Sequence, residues 1–333
     1  MKNIFTGLIL FCIVLTSCKK DNKSGGTTNN KTLYKVTFGI SGFSKQNIGF
    51  QTNSIKSKKT DALTTDSYPD TVMVPEIYYR VYDSAGNFIH EIDQKSTDTG
   101  FGTINDQLGP GTYTAVFIGA ENQPESVEGD KSLSIVSPGN KLSTDYMYYF
   151  VQLGASGDYS NLFSETFFKK ISFTVTTGAV GQNISMNRIV GQLIVNIQDA
   201  IPANATSIVL KINATSNTFD LGTALPEKPT TVISPTYTTL TSTNANLYTP
   251  IVAGATNYKM YNYILNTIAP FTVTITCNGD QGIIAQKVIS NVSCTANHQT
   301  ILTGNLFGGA GTGSTVKVGV DTTWGATTLN YSF

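Results

Sequence analysis

The chain has 333 residues, 22 Lys and Arg against 22 Asp and Glu, a charged fraction of only 13% and two histidines. A balanced, weakly charged chain offers no basic field, so nucleic acid is excluded as a partner. The length beyond a short leader suffices for two domains with sizeable cores.

Lys2 precedes the apolar stretch Ile4 to Leu15, too short to span a bilayer but suited to the core of a signal peptide, expected over residues 1–17. Leu15-Thr16-Ser17-Cys18 resembles a lipobox: a branched apolar residue, two small ones and the cysteine that takes the lipid. The competing reading is a buried cysteine in a short core helix. Lipidation at Cys18 gives several acyl chains, and more than one chain is what stable anchoring requires. Lys19 to Asn30 is polar, contains Gly25 and Gly26 and lacks any apolar residue, so residues 18–31 read as a lipidated flexible tether. Lys19-Lys20-Asp21 also looks like the short charged signals that send Bacteroidetes lipoproteins to the cell surface. The expected location is the outer membrane, lipid-anchored at the cell surface.

Beyond the tether the pattern is all-β. In Leu33 to Ile40 the even positions Tyr34, Val36, Phe38 and Ile40 bracket one buried face. Ile77 to Tyr82 runs through the turn Asp83-Ser84-Ala85-Gly86-Asn87 into Phe88 to Ile92. Leu108-Gly109-Pro110-Gly111-Thr112-Tyr113 sets a Pro-Gly turn before a strand ending at Ile118. Tyr146 to Leu153 and Ile171 to Thr176 complete a first set. A second set starts at Arg188, with Ile189, Gly191, Leu193, Val195 and Ile197 on one face, and continues through Ile208 to Ile212. Phe271, Val273, Ile275 and Cys277 alternate with threonines, and Gly282 to Ile289 returns as their hairpin partner. Further strands are expected at Gln299 to Leu306 and Thr315 to Asp321. The weakly patterned stretch Thr223 to Thr249 reads as a long surface loop. Short strands with regular turns suit β-sandwiches, and the chain divides into an N-terminal domain over 32–182 and a C-terminal domain over 183–333.

No chemistry-bearing constellation stands out, so the expectation is a protein that is not an enzyme, with no cofactor and no metal. His90 and His298 read as isolated surface histidines, and neither a nucleophile elbow nor a phosphate loop ahead of a helix is present. The glycines Gly304 and Gly308 to Gly313 read as a flexible connection into the last strands. Cys277 and Cys294 remain once the leader and Cys18 are set aside. They read either as two buried thiols or as a disulfide; the bridge, expected here, closes a loop of about 16 residues and contributes about 3 kcal/mol.

The ordered set Ile77 to Asp83 with Gly86, Leu108 to Tyr113, Met186 to Val195, and Asn297 to Leu306 ahead of Val318-Gly319-Val320-Asp321 and Trp324 resembles the fimbrillin superfamily. Its members are the shaft, anchor and tip proteins of type V pili. The resemblance covers the chain from about Leu33 onward and implies two transthyretin-like β-sandwich domains behind a lipidated tether. It also implies assembly by strand addition with other pilin subunits, in which removal of a first strand opens a groove that a neighbour's C-terminal strand fills. The first strand here is Leu33, Val36, Phe38 and Ile40, and the donor lies within Val316 to Phe333, with Val316, Val318 and Val320 as its apolar residues. The alternative is that each strand completes its own domain.

One departure bears on the role. The family's maturation cut follows an arginine near the first strand, yet the only arginines are Arg80 and Arg188, both in expected strands. Either another protease acts, in the Lys-rich Ser54-Ile55-Lys56-Ser57-Lys58-Lys59 loop, or the lipid stays on, and an uncut, lipidated subunit suits an anchor or a stand-alone surface adhesin better than a polymerising shaft. The other function class is a non-polymerising adhesin that binds a glycan or host surface, for which Tyr146, Tyr148 and Tyr149 are candidate stacking residues and strand packing is the plainer reading. Asp70-Thr71-Val72, Asp83-Ser84-Ala85 and Asp321-Thr322-Thr323 resemble O-glycosylation sites, the last without the apolar third residue.

Overall fold

A computed structural model describes residues 32–43, 74–120, 123–126, 129–151, 165–214, 216, 218–227, 236–239, 251–265, 267–308 and 329–332. Cys18, the leader and the tether lie outside the described residues, as do Thr315 to Asp321, Val316, Val318 and Val320. Among the described residues there are strands and no helix. The strands are β1 (Tyr34–Ser41), β2 (Glu76–Tyr82), β3 (Phe88–Lys95), β4 (Thr103–Leu108), β5 (Gly111–Ala120), β6 (Gln123–Ser126), β7 (Gly129–Val136), β8 (Tyr146–Val151), β9 (Thr166–Val175), β10 (Val180–Ser185) and β11 (Asn187–Arg188). They continue as β12 (Gly191–Ile197), β13 (Ala205–Ile212), β14 (Phe219–Asp220), β15 (Leu225–Pro226), β16 (Thr236–Thr239), β17 (Tyr258–Ile264), β18 (Phe271–Gly279), β19 (Gly282–Val292), β20 (Gln299–Gly304) and β21 (Leu329–Ser332).

Among the described residues the strands form five sheets, ordered β10-β1-β4, β11-β9-β5-β2-β3, β15-β14-β8-β7-β6, β17-β12-β20-β21 and β16-β13-β18-β19. The first two enclose one core, in which Val36, Phe38, Ile104 and Ile184 meet Ile77, Tyr79, Ala115, Phe117 and Phe173. The last two enclose another, built from Leu193, Val195, Ile197, Ile208, Leu210, Val273, Ile275 and Leu302. We call these the first and second lobes. Alternation explains both, because period-2 side chains put one face of each strand inside. β18 is buried at Phe271, Val273, Ile275 and Cys277 and half-exposed at the intervening threonines, as its sequence predicts.

β2 and β5 are buried on both faces, which simple alternation does not announce. Ala115 and Phe117 enter the first-lobe core, whereas Val116, Ile118 and Ala120 face a third core under the β6–β8 sheet, with Leu133, Met147, Phe168, Phe219 and Leu221. A strand covered on both sides becomes a continuous apolar run.

Three expectations change. The run from Arg188 to Ile197 is not one strand: β11 pairs with β9 of the first lobe, Ile189 and Val190 lie outside any strand, and β12 pairs with β17 and β20 of the second. Residue pair 182/183 lies inside β10, and at Ile189 and Val190 the chain passes from the sheets around the first core to those around the second. Within Thr223 to Thr249, β15 and β16 are strands rather than loop, because β14 and β13 offer them free edges. Cys277 and Cys294 are free, buried thiols rather than a bridge. The β18–β19 register gives the reason: Cys277 lies opposite Ala285, whereas Val292, two residues before Cys294, lies opposite Phe271. Six residue steps lead from Phe271 to Cys277, roughly 20 Å along the hairpin, and two further residues cannot span that gap to the Cα separation a disulfide needs. Burial pushes the Cys277 thiol up to about 11 and the Cys294 thiol up to about 12, so both stay protonated.

Candidate functional site

The first strand occupies the middle of its sheet. β1 pairs in parallel with β10, from Val36 opposite Val180 to Ser41 opposite Ser185, and antiparallel with β4, from Tyr34 opposite Leu108 to Gly39 opposite Thr103. Beyond the ladders, Ile40 N donates to Gly102 O at 2.7 Å and Met186 N to Ser41 O at 2.9 Å. Val36 and Phe38 are fully buried, Tyr34 and Ile40 half-buried, and Leu33 precedes the strand with 55% of its surface exposed. The Phe38 ring sits 5.1 Å from Phe117, 5.3 Å from Phe173 and 5.7 Å from Tyr79, the first two edge-on. Edge-on geometry matches the ring quadrupoles and adds to the area that Phe38 buries. The geometry is that of a slot: two strand edges, a socket for one ring and a smaller one for Val36.

The Pro-Gly turn supports this slot. Tyr113 Oη donates to Gly109 O at 2.9 Å, closing the turn between β4 and β5. A Cβ on Gly111 would lie 3.1 Å from the Tyr113 hydroxyl oxygen and 3.2–3.3 Å from the ring, so glycine lets the tyrosine fold back over the turn. At the hairpin between β2 and β3, Asp83 Oδ1 accepts from Ala85 N and Asn87 N, and Gly86 adopts φ +77°.

Both arginines are buried in polar networks, each 6% exposed. Arg80 Nε donates to Tyr82 Oη at 3.0 Å, its Nη1 pairs with Glu91, and its Nη2 bonds Ser137 and lies 3.5 Å from Asp145. Arg80 also lies 4.3 Å from the Phe88 ring centroid. Asp145, fully buried, accepts from Tyr82 Oη at 2.8 Å and from Ser137 Oγ at 3.0 Å. Burial and Asp145 push the Tyr82 phenol well above its ordinary range. Arg188 Nε donates to Glu165 at 2.8 Å, its Nη1 donates to Asn297 at 2.5 Å, and the group lies over Phe167. Neither arginine is presented to a protease.

His90 is not the isolated surface residue expected. Its Nε2 lies 3.0 Å from Asp106 Oδ1, and Tyr79 Oη donates to Asp106 Oδ2 at 2.9 Å. The trio ties β3 and β2 of one sheet to β4 of the other; sixteen residues of separation hide it from sequence. His298 Nδ1 lies 2.7 Å from Ala296 O, within the turn before β20. Among the described residues no group of three or more His, Cys, Asp or Glu is placed to hold a metal ion.

The C-terminal candidate is only partly in view. β21 runs parallel to β20 at the rim of its sheet, from Leu329 opposite Thr300 to Ser332 opposite Thr303. Tyr146 and Tyr148 lie side by side and half-buried on β8, ring centroids 6.4 Å apart, while Met147 between them faces the core.

Sheets stacked through apolar cores, with a central first strand and β21 as a rim strand, define an all-β protein. Residues 47–330 match the family described as fimbrillin-A associated anchor proteins Mfa1 and Mfa2, and the chain belongs to that family. None of the curated proteins matches it in sequence. Among solved structures, a protein described as an adhesin from Bacteroides ovatus shares 8% identity at TM-score 0.48, over 83% of this chain and 88% of that one. The fimbrial anchor protein Mfa2 from Porphyromonas gingivalis shares 10% at TM-score 0.45, over 77% and 82%. A fimbrial assembly protein from Parabacteroides distasonis shares 9% at TM-score 0.41, over 82% and 91%.

Proposed function

We propose that this chain is an anchor or minor subunit of a fimbrium, held in the outer membrane by acylated Cys18, that joins other subunits by β-strand addition and contributes to adhesion. The observation that carries the reading is the family match over residues 47–330. The assembly mode is supported from the C-terminal side, because β21 is a rim strand that a chain keeping its own β1 in place can still donate to a neighbour, and β1, held between two strands with Phe38 in an aromatic socket, is the pattern of groove that such a donor fits. The anchor role is supported by the burial of Arg80 and Arg188, the only arginines, which leaves an arginine-specific protease no accessible site for removing the lipidated end. Residues 18–31 then serve as the tether between lipid and first lobe.

Mass spectrometry of the N-terminal peptide from native membranes tests the anchor role: acylated Cys18 is expected, and a new N-terminus beyond Ser41 would overturn it. Strand addition is tested by titrating a peptide of residues 316–333 onto a variant lacking residues 19–45; absence of binding, with the variant folded, sinks that mode.

A second reading, glycan recognition by a surface adhesin, is favoured by Tyr146 and Tyr148, whose adjacent rings form a small aromatic platform. A glycan array probed with the wild type and with Tyr146→Ala/Tyr148→Ala decides it; equal signals from both proteins would reject the platform.

A further inference from the structure

Two lobes joined by one crossover would by default move relative to one another, unless the interface between them is large and apolar. We propose that two joints, an arm formed by residues 218–227 and a clamp centred on Arg188, lock the lobes into a single body that unfolds as a unit and transmits tension from one end to the other.

The arm leaves the second lobe after β13, and its β14 adds to β8, with Phe219 opposite Met147 and Asp220 opposite Tyr146. Phe219 is 2% exposed and Leu221 fully buried, both in the third core beside Val116, Ile118 and Phe168. The Phe219 ring centroid is 4.9 Å from that of Phe168. Polar contacts fix the tip: Leu221 N donates to Asp145 O at 2.9 Å, and Lys170 Nζ donates to Gly222 O. A segment that follows β13 of the second lobe therefore completes the β6–β8 sheet and the third core, which also takes in Tyr82, Val116 and Ile118 of the first lobe and Tyr263 and Leu265 at the end of β17 in the second.

The clamp sits at the crossover. Arg188 joins Glu165, at the start of β9, to Asn297, in the turn before β20. Ile189 N donates to Thr166 O at 3.0 Å, Asn297 N to Val190 O at 2.9 Å and Gln192 N to His298 O at 3.0 Å, so backbone from both lobes is stitched to the crossover itself. A Cβ on Gly191 would lie 2.7 Å from Thr295 O, so the second-lobe turn lies directly against the crossover. Glu165 and Arg188, both on the first-lobe side, are 2% and 6% exposed and hold one another, so separating the lobes would take the Asn297 acceptor away from a buried guanidinium.

Tension enters this picture only through the anchor reading: a pull between the β1 slot and β21 crosses both joints. Cooperative unfolding does not depend on it, so each can fail alone.

The test is hydrogen exchange followed by mass spectrometry on the full-length protein in detergent across a urea series, read from peptides of β2 and β5 and of β13 and β18. Labelling of Cys277 and Cys294, buried in the second lobe, serves as an independent clock. In the wild type, protection in both lobes and thiol burial are expected to vanish at the same urea concentration. Two paired variants, Phe219→Ala/Leu221→Ala in the arm and Glu165→Gln/Arg188→Gln in the clamp, are expected to part the two midpoints. The second pair removes both charges together, so no lone buried charge unfolds the protein for an unrelated reason. Separate midpoints in the wild type, or coincident midpoints in whichever paired variants fold, would overturn the proposal.

Discussion

The two lobes build their cores from different materials. The first-lobe core is aromatic and centred on one side chain: Phe38, delivered by β1, touches Tyr79, Phe117 and Phe173. The second is mostly aliphatic, with Ile, Leu and Val from β12, β13, β18 and β20 interdigitating and no residue holding a comparable central place. The difference teaches where replaceability resides. A strand inserted between two others and carrying one large ring concentrates its contribution in a single socket, whereas a mesh of branched side chains spreads it over every strand.

The largest expected effect tests that concentration. Phe38→Ala should cost about 4 kcal/mol, within the range for a buried aromatic, because three rings cannot close over the void; urea denaturation followed at first-lobe peptides measures it. Leu210→Ala, in the second-lobe mesh, should cost about 3 kcal/mol and hasten thiol labelling of Cys277. If the Leu210 variant loses as much as the Phe38 variant or more, the contrast between the cores fails. Tyr113→Phe removes only the hydroxyl that closes the turn at Gly109 and should cost about 1 kcal/mol, read as a shift in urea midpoint at unchanged slope.

The smallest effect concerns pH. Partial burial, aided by the Glu91 and Glu76 carboxylates and opposed by Arg80, pushes the Asp93 carboxyl up to about 6. The folded value lies above the unfolded one near 4, so this group's contribution is complete below about pH 4 and is lost as pH rises through about 6. Asp93 is exposed, and solvent screening keeps the effect slight. Asp93→Asn should flatten the fall in stability between pH 4 and pH 6; an unchanged slope in paired urea titrations would remove Asp93 from the account.

Much of the fold was legible where one face of a strand meets a core and the other meets solvent. β1, the β2–β3 hairpin, the Pro-Gly turn into β5 and the β18–β19 hairpin all follow from period-2 patterning and turn residues. The extra core was not legible, because burial on both faces erases alternation in β2 and β5. Nor was the break at Ile189 and Val190, since both residues are apolar and continue the pattern of the strand beyond them while their backbone bonds go to Thr166 and Asn297. At the candidate site, Val36, Phe38 and Ile40 were read from sequence, whereas their partners on β4 and β10 lie about 70 and 145 residues away, beyond any local signal.

The sequence by itself determined the strand class, most strand positions, the inward phase of β1 and the scarcity of arginine, because these depend on local periodicity and composition. Only the tertiary structure decided that β1 lies inside its sheet, that Asp106 joins His90 to Tyr79, that Cys277 and Cys294 are held apart and that Arg188 spans Glu165 and Asn297. Each of those is a matter of which distant segments meet, and that is set by sheet order and register across the whole chain.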